Sequence, residues 1–159
     1  MELYRIAKSS YSTDLTGLGA RLYGARWNRK GTAVIYTSKS RALAALEFFV
    51  HLPLSLAPPG LKIVSLQIPD KTAIEEISLS DLPADWRTYP APPQLAELGA
   101  AWIKKNKTLL LRVPSVIIEK EFNILINPGH PDVKLVTIGK IEDFKFDDRL
   151  LKKNSPAGG

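Results

Sequence analysis

Apolar and polar residues alternate in several short stretches of this chain, which is the pattern of β-strands with one buried face. Residues 8–24 are polar and rich in serine, threonine and glycine, and residues 81–93 contain four prolines, so we predict a loop for each. Asn127-Pro128-Gly129 is typical of a turn. We predict strands at residues 3–7, 33–37, 61–68, 73–79, 108–113, 116–118, 122–126 and 133–138.

Two longer stretches have the features of α-helices. Ser38 or Ser40 is placed to cap a helix that runs to about His51, and Pro53 favours an end nearby. A second helix is predicted over residues 93–105, because a proline suits the first turn and lysines suit the C-terminal end of the helix dipole.

These elements predict the fold class α/β, of the α+β type. Strands with two substantial helices and no internal repeat favour a mixed, largely antiparallel sheet with helices packed on it. A length of 159 residues suits one core. We therefore assign a single domain to residues 1–151 and expect a flexible tail at residues 152–159.

Composition removes several kinds of chemistry. The chain has no cysteine, which excludes disulfides, thiol nucleophiles and cysteine-based metal sites. His51 and His130 are far apart in sequence, so we expect no metal site. No stretch approaches the ~20 apolar residues of a membrane span, and the N-terminus lacks the apolar core of a signal peptide. We expect a cytoplasmic protein that does not associate with membranes.

The net charge indicates an anionic partner without identifying it. There are 22 Lys and Arg residues against 16 Asp and Glu residues, which gives +6 at pH 7. Basic residues concentrate at positions 26–30, 104–107 and 152–153, and no run of five or six like charges occurs. A small anionic ligand accounts for this charge as well as a nucleic acid does.

Glu47 is the most unusual residue of the first predicted helix. Over residues 41–51 only Arg41, Glu47 and His51 are polar, and a helix that is apolar nearly all round is normally buried. A carboxylate in such a place is either one member of a structural ion pair or a tuned catalytic group. Arg26 is the candidate cation: its guanidinium could bond a phosphate or a carboxylate in bidentate fashion, or stack on Trp27 at the surface.

Two further residues have a structural and a functional interpretation. Tyr36 lies in a predicted strand, where its ring could fill the core or place a phenol at the strand end. Ser115 follows Pro114 after a predicted strand, where its hydroxyl could form a turn or donate to a ligand.

Several of these motifs resemble one known family. Their order and spacing are similar to those of the RES domain, named for its Arg, Glu and Ser, over residues 3–150. Ala25 departs from the family, whose members commonly have a second glycine there. The motifs that carry the resemblance are Tyr4-Arg5, Gly24-Ala25-Arg26-Trp27-Asn28, Gly31, Tyr36-Thr37-Ser38, residues 44–47, Val113-Pro114-Ser115 and residues 123–131 (NILINPGHP).

The resemblance implies a toxin with a fold similar to that of ADP-ribosyltransferases. RES proteins belong to type II toxin–antitoxin pairs whose partner is an Xre-type helix-turn-helix antitoxin. That implies a hetero-oligomer in which the antitoxin masks the active site, with nucleic acid bound only through the antitoxin. The activity attributed to the family is cleavage of the nicotinamide–ribose bond of NAD⁺ by phosphorolysis or hydrolysis. NAD⁺ is then a substrate, inorganic phosphate a candidate co-substrate, and no cofactor is implied.

The resemblance also assigns roles to residues. Arg26, together with Arg5, would bind the NAD⁺ phosphates, and Tyr36 would pack against the nicotinamide or its ribose. Ser115 would fix orientation by hydrogen bonding. Glu47 would stabilise the cationic ribose and position or activate the nucleophile. The active-site positions carried over are Glu47, Arg26, Tyr36 and Ser115, and the further substrate-binding positions are Arg5, Asn28 and Asn123.

Two other functions remain open on the sequence. A transferase that attaches ADP-ribose to a host protein would use the same pocket. A basic nucleic-acid-binding or RNA-cleaving toxin would use the positive charge, although a lone carboxylate at Glu47 would repel phosphate.

Overall fold

A computed structural model of the protein describes residues 1–52 and 57–151. Within these ranges, seven strands form one sheet in the order β4-β5-β6-β2-β1-β3-β7, in which β4 and β5 are parallel and the other neighbours antiparallel. The largely antiparallel α+β fold is therefore confirmed. The strands are β1 (Glu2–Lys8), β2 (Ile35–Ser38), β3 (Leu61–Gln67), β4 (Ile74–Glu76), β5 (Leu110–Pro114), β6 (Phe122–Ile126) and β7 (Thr137–Asp143).

The two predicted helices are present. The second has the predicted bounds, with a proline in its first turn, and Ser40 caps the first by accepting a hydrogen bond from Leu43 N at 3.1 Å. Pro53 and residues 152–159 lie outside the described residues. No helix within the described ranges is both long and apolar enough to cross a membrane. The α-helices are α1 (Leu18–Tyr23), α2 (Arg41–Phe49), α3 (Pro93–Lys105) and α4 (Asp148–Leu151).

Strand alternation divides the core between the two faces of the sheet. Ile35 and Ile124 point into a cluster on one face. On the other face, Leu125 of β6 meets Trp102 of α3, while Ile63 of β3 lies in a cluster with the phenylalanines of α2. Helices α2 and α3 therefore cover the same face, and the face between them holds the candidate site.

The serine-rich connection after β1 contains a helix where we predicted a loop. Gly17 adopts φ 68°, a left-handed conformation, and directly precedes α1. A Cβ there would lie 2.8 Å from Val34 N, so the close approach of two backbones requires glycine. The start of this helix therefore packs against a distant segment, and the local residue pattern does not show that contact.

One predicted strand and the first part of another are wrong for reasons of local hydrogen bonding. Residues 116–118 form a turn, because Ser115 Oγ accepts from the backbone N–H groups of Ile117 and Ile118 at 3.1 Å. The first part of the strand predicted at 133–138 is a 3₁₀ helix over Pro131–Leu135, capped by His130 Nδ1, which accepts from Asp132 N. In both places a side-chain acceptor binds backbone groups that a strand would have paired.

Helix α3 lies very close to the loop that carries Arg26. A Cβ built on Gly99 would lie 1.8 Å from Trp27 O, so only glycine fits at this contact. Trp27 is 3% exposed and packs in the same cluster as Leu95 of α3. Because Gly99 has no side chain, α3 can pack directly against the loop backbone and fix its position.

We expect Gly99→Ala to lower the free energy of unfolding by about 1–3 kcal/mol, the usual cost of an added methyl group in a packed site. The matched control is Gly19→Ala in α1, where a Cβ meets nothing within 4 Å. That change should leave stability unchanged or raise it by up to about 1 kcal/mol, because alanine favours helix. Urea denaturation measures both, and equal effects of the two substitutions would contradict the close contact.

Candidate active site

The sheet opens between its two central strands. Strands β1 and β2 pair at Tyr4 and Ser38. If this antiparallel pairing continued in register, Ile6 would lie opposite Tyr36. Instead both residues line a cleft of about 370 Å³, whose walls also include Arg5 of β1 and residues of α1. Divergence of paired strands therefore creates a cavity in the middle of the sheet, with backbone on both sides.

Glu47 of α2 is held against the sheet by two donors. Ser115 Oγ donates to Glu47 Oε1 at 2.7 Å, and Asn123 Nδ2 donates to the same oxygen at 2.5 Å. Ser38 Oγ in turn donates to Asn123 Oδ1 at 2.6 Å. The two bonds to Glu47 both end on Oε1, and no described residue donates to Oε2. The arrangement fixes the carboxylate and leaves one oxygen for other partners.

Helix α2 is less buried than its composition predicts. Leu43 and Ala44 are buried, but Leu46 is 37% exposed and Val50 is 52% exposed. Glu47 is half-buried between them and forms no ion pair with any residue of the described ranges. The expected fully buried helix is wrong, because one side of α2 faces solvent beside the carboxylate.

Arg26 joins its own loop to the proline-rich loop. Its Nη1 donates to Trp86 O at 2.7 Å and its Nη2 to Thr88 O at 3.1 Å. Burial lowers the pKa of Arg26, while the negative charge of Glu47 opposes that shift. The guanidinium and the carboxylate therefore interact through space, and the guanidinium also holds a loop of the site.

Tyr36 of β2 is hydrogen-bonded to Asn28 and Trp27 of the Arg26 loop. Tyr36 Oη donates to Asn28 Oδ1 at 2.7 Å and accepts from Trp27 N at 3.1 Å. Asn28 Nδ2 donates to the carbonyls of Ala20, Arg29 and Thr32. Burial raises the pKa of the Tyr36 phenol. The polar atoms of Asn28 serve the loop, and the ring of Tyr36 lines the cleft.

Arg5 holds the other wall of the cleft. Its Nη2 donates to Tyr11 O, Ser12 O and Asp14 O, at 3.1, 3.2 and 2.5 Å. Burial lowers the pKa of Arg5, and the nearby charge of Asp14 opposes that shift. Arg5 Nε is buried and has no partner within the described part of the chain. The guanidinium therefore fixes a loop while keeping donor capacity for a ligand.

The structure thus joins five of the seven predicted residues in two groups. Glu47, Ser115 and Asn123 are in direct contact, and Arg5 and Tyr36 line the cleft. Ser38 was not among the site residues expected from the sequence, although it was a candidate helix cap and belongs to the motif Tyr36-Thr37-Ser38. Among the described residues, no group of three or more acidic or histidine side chains is arranged to hold a metal ion.

Comparison with known proteins gives one consistent family. The RES domain model matches residues 2–147. The chain is 38% identical over 149 residues to the "Prs ADP-ribosylating toxin" of Sphingobium sp., with 92% of each chain covered. It is 37% identical over 153 residues to "Toxin Res" of Yersinia enterocolitica, covering 94% of this chain and 99% of the relative.

A solved structure shows the same fold at low sequence identity. The M. tuberculosis MbcT-MbcA toxin-antitoxin complex contains a chain that superposes with a TM-score of 0.71 and 16% identity. The match covers 90% of this chain and 83% of the other.

We expect Tyr36→Phe to lower the free energy of unfolding by about 1–3 kcal/mol, because Trp27 N and Asn28 Oδ1 lose their partner. The cost should shrink above pH ~10, the ordinary pKa of tyrosine. Above that pH the Tyr36 phenol loses its proton in the unfolded wild-type chain but keeps it in the folded state. This lowers the free energy of unfolding of the wild type and has no counterpart in Tyr36→Phe. Urea denaturation against pH measures this. Tyr89→Phe, at a side chain 87% exposed, is the control, and an unchanged cost across pH would contradict the raised pKa.

We expect Arg26→Ala to release the proline-rich loop. Trp86 N and Thr88 N donate to Pro83 O and Asp85 O inside that loop, so their amide hydrogens should exchange at least about tenfold faster once the guanidinium is gone. Hydrogen exchange measured by NMR tests this. The control is Arg29→Ala, whose side chain is 61% exposed and pairs with Glu97. Equal exchange in wild type and Arg26→Ala would show that Arg26 does not hold the loop.

Proposed function

The chain belongs to the RES domain family of toxins of toxin–antitoxin systems, and from this premise we propose that it cleaves the nicotinamide–ribose bond of NAD⁺. The observation that carries the proposal is the Glu47 carboxylate, held at Oε1 by Ser115 and Asn123. Breaking a glycosidic bond develops positive charge on the sugar, and a fixed carboxylate stabilises that charge.

Glu47 is both fixed and available for this role. Two donors on Oε1 hold the carboxylate in one orientation, so it does not have to reorganise when the ribose becomes cationic. Oε2 is then the oxygen that faces the ribose or accepts a hydrogen bond from the attacking nucleophile. In this proposal Ser115 acts on the carboxylate, since its hydroxyl also accepts from the backbone of the following turn.

The two arginines are suited to the phosphates of NAD⁺. A guanidinium has five N–H donors, and the bonds to loop carbonyls leave some of them free in both Arg5 and Arg26. Each is partly withdrawn from water, which strengthens its attraction to a phosphate. Tyr36 gives the cleft an aromatic wall against which the nicotinamide or its ribose would pack. Water or inorganic phosphate would be the nucleophile.

Transfer of ADP-ribose to a protein is the second candidate. A relative that is 38% identical carries the name "Prs ADP-ribosylating toxin". The exposed side chains of Leu46 and Val50, near Glu47 on α2 and its C-cap, offer an apolar contact for a protein acceptor. Such a transfer would begin with the same bond cleavage and would differ only in the nucleophile.

An antitoxin is the partner that we propose. The chain of similar fold is in a toxin-antitoxin complex, and the formal charge of +6 favours an acidic partner segment. We propose that the antitoxin is of the helix-turn-helix Xre type and that it covers Glu47, forming a hetero-oligomer with the toxin.

We expect purified protein to consume NAD⁺ and release nicotinamide, and Glu47→Gln to slow this by about 10²–10⁴-fold. Glutamine keeps an oxygen that accepts from Ser115, so the fold should persist. Arg26→Ala should also slow the reaction. The controls are Glu97→Gln and Arg29→Ala. These residues form an exposed ion pair between α3 and the loop that carries Arg26, and both variants should retain wild-type rates.

The products identify the nucleophile. Chromatography or NMR with phosphate present should show ADP-ribose 1″-phosphate for phosphorolysis, whereas free ADP-ribose indicates hydrolysis. Labelled ADP-ribose bound to protein indicates transfer. Wild-type rates of NAD⁺ loss in folded Glu47→Gln and Arg26→Ala would refute the assignment of the site.

A further inference from the structure

Ser38 lies next to the Glu47 network without touching Glu47. It is the last residue of β2 and pairs with Tyr4 of β1 on one side and with Asn123 of β6 on the other. Its backbone is therefore fixed by two neighbouring strands, at the point from which the cleft opens. Ser38 is 3% exposed, and its hydroxyl donates to Asn123 Oδ1 at 2.6 Å.

This hydrogen bond determines which end of the Asn123 amide faces Glu47. The oxygen and nitrogen ends of an amide have nearly the same shape, and a half-turn of the side chain exchanges them. A carboxylate only accepts hydrogen bonds, so Glu47 requires the nitrogen end. Ser38 supplies the donor that the oxygen end needs in the same orientation. The amide is thus held at both ends.

We propose that Ser38 is a positioning residue that acts through Asn123 to orient the Glu47 carboxylate; this inference rests on the proposed cleavage of NAD⁺. Without the hydroxyl, Asn123 Oδ1 has no donor, and the amide can rotate away from Glu47 Oε1. Ser115 then remains as the other donor to that oxygen. A carboxylate held by one donor in place of two is less well oriented toward the ribose.

Steady-state kinetics of NAD⁺ loss provides the first test. We expect Ser38→Ala to lower kcat about tenfold, which is the effect of one hydrogen bond of ordinary strength. KM should stay within about twofold, since Ser38 acts on Glu47 and not on the bound substrate. Ser38→Thr keeps a hydroxyl and should recover most of the rate. An unchanged kcat in Ser38→Ala would overturn the proposal.

A neighbouring hydroxyl supplies a matched control. Thr37 is also 3% exposed, but its Oγ1 donates at 2.5 Å to Ile124 O on the opposite face of the sheet, away from Glu47. Thr37→Val should lower the midpoint of urea unfolding, as Ser38→Ala does, while leaving kcat within about twofold. An equal loss of kcat in both variants would show that Ser38 contributes only stability.

A double-mutant cycle tests whether the effect passes through Asn123. If it does, Ser38→Ala should have no further effect on kcat in an Asn123→Ala background. The same tenfold loss in both backgrounds would overturn the route. Should Ser38→Ala fail to fold, Ser38→Cys serves in its place, because the thiol has a similar shape and is a weak donor.

A spectroscopic measurement separates this inference from the proposed function. In ¹⁵N-labelled protein, the side-chain amide resonances of Asn123 should move and exchange faster in Ser38→Ala, whatever the reaction is. If wild type does not consume NAD⁺ but these resonances respond, the proposed function fails and the orienting contact stands. If wild type consumes NAD⁺ and neither kcat nor the resonances change, only the role of Ser38 fails.

Discussion

The hydrogen bonds at Glu47 Oε1 join helix α2 to the paired ends of β5 and β6. Ser115 is 68 residues from Glu47 and Asn123 is 76 residues from it, yet both donate to one oxygen. A half-buried carboxylate without donors would be costly, so the helix, the end of β5 and the start of β6 must keep their relative positions. The bonds that stabilise the Glu47 carboxylate therefore also orient it as the candidate catalytic group. The same contacts serve both stability and chemistry.

Local sequence patterns predicted the elements whose determinants lie within the element itself. The second helix needed only a proline in its first turn and lysines at its end, and its bounds Pro93–Lys105 followed. Patterns failed where a side chain competed for backbone groups, as at Ser115 and His130, because the apolar residues there resemble strand residues. The glycine that precedes α1 lies against Val34, a contact that no local window contains.

The site was predictable as a set of residues and not as an arrangement. A carboxylate in an apolar helix and an arginine beside a tryptophan are visible anomalies, and their order along the chain resembled one family. The partners of that arginine, the carbonyls of Trp86 and Thr88, are about 60 residues away and have no side-chain signature. Backbone acceptors are present at every position, so sequence cannot indicate which of them a guanidinium will select.

The divergence of β1 and β2 has a consequence for how this cleft can evolve. Beyond the pair formed by Tyr4 and Ser38, peptide groups that would have bonded across the ladder face the opening. A ligand that hydrogen-bonds to these peptide groups is recognised by the backbone, whose atoms do not depend on the side chain at each position. The side chain at Ala7 can then vary among residues of similar size while those contacts persist. Resistance to an inhibitor built on the same backbone contacts would require a change in the path of the chain, which is much rarer than a change of one side chain.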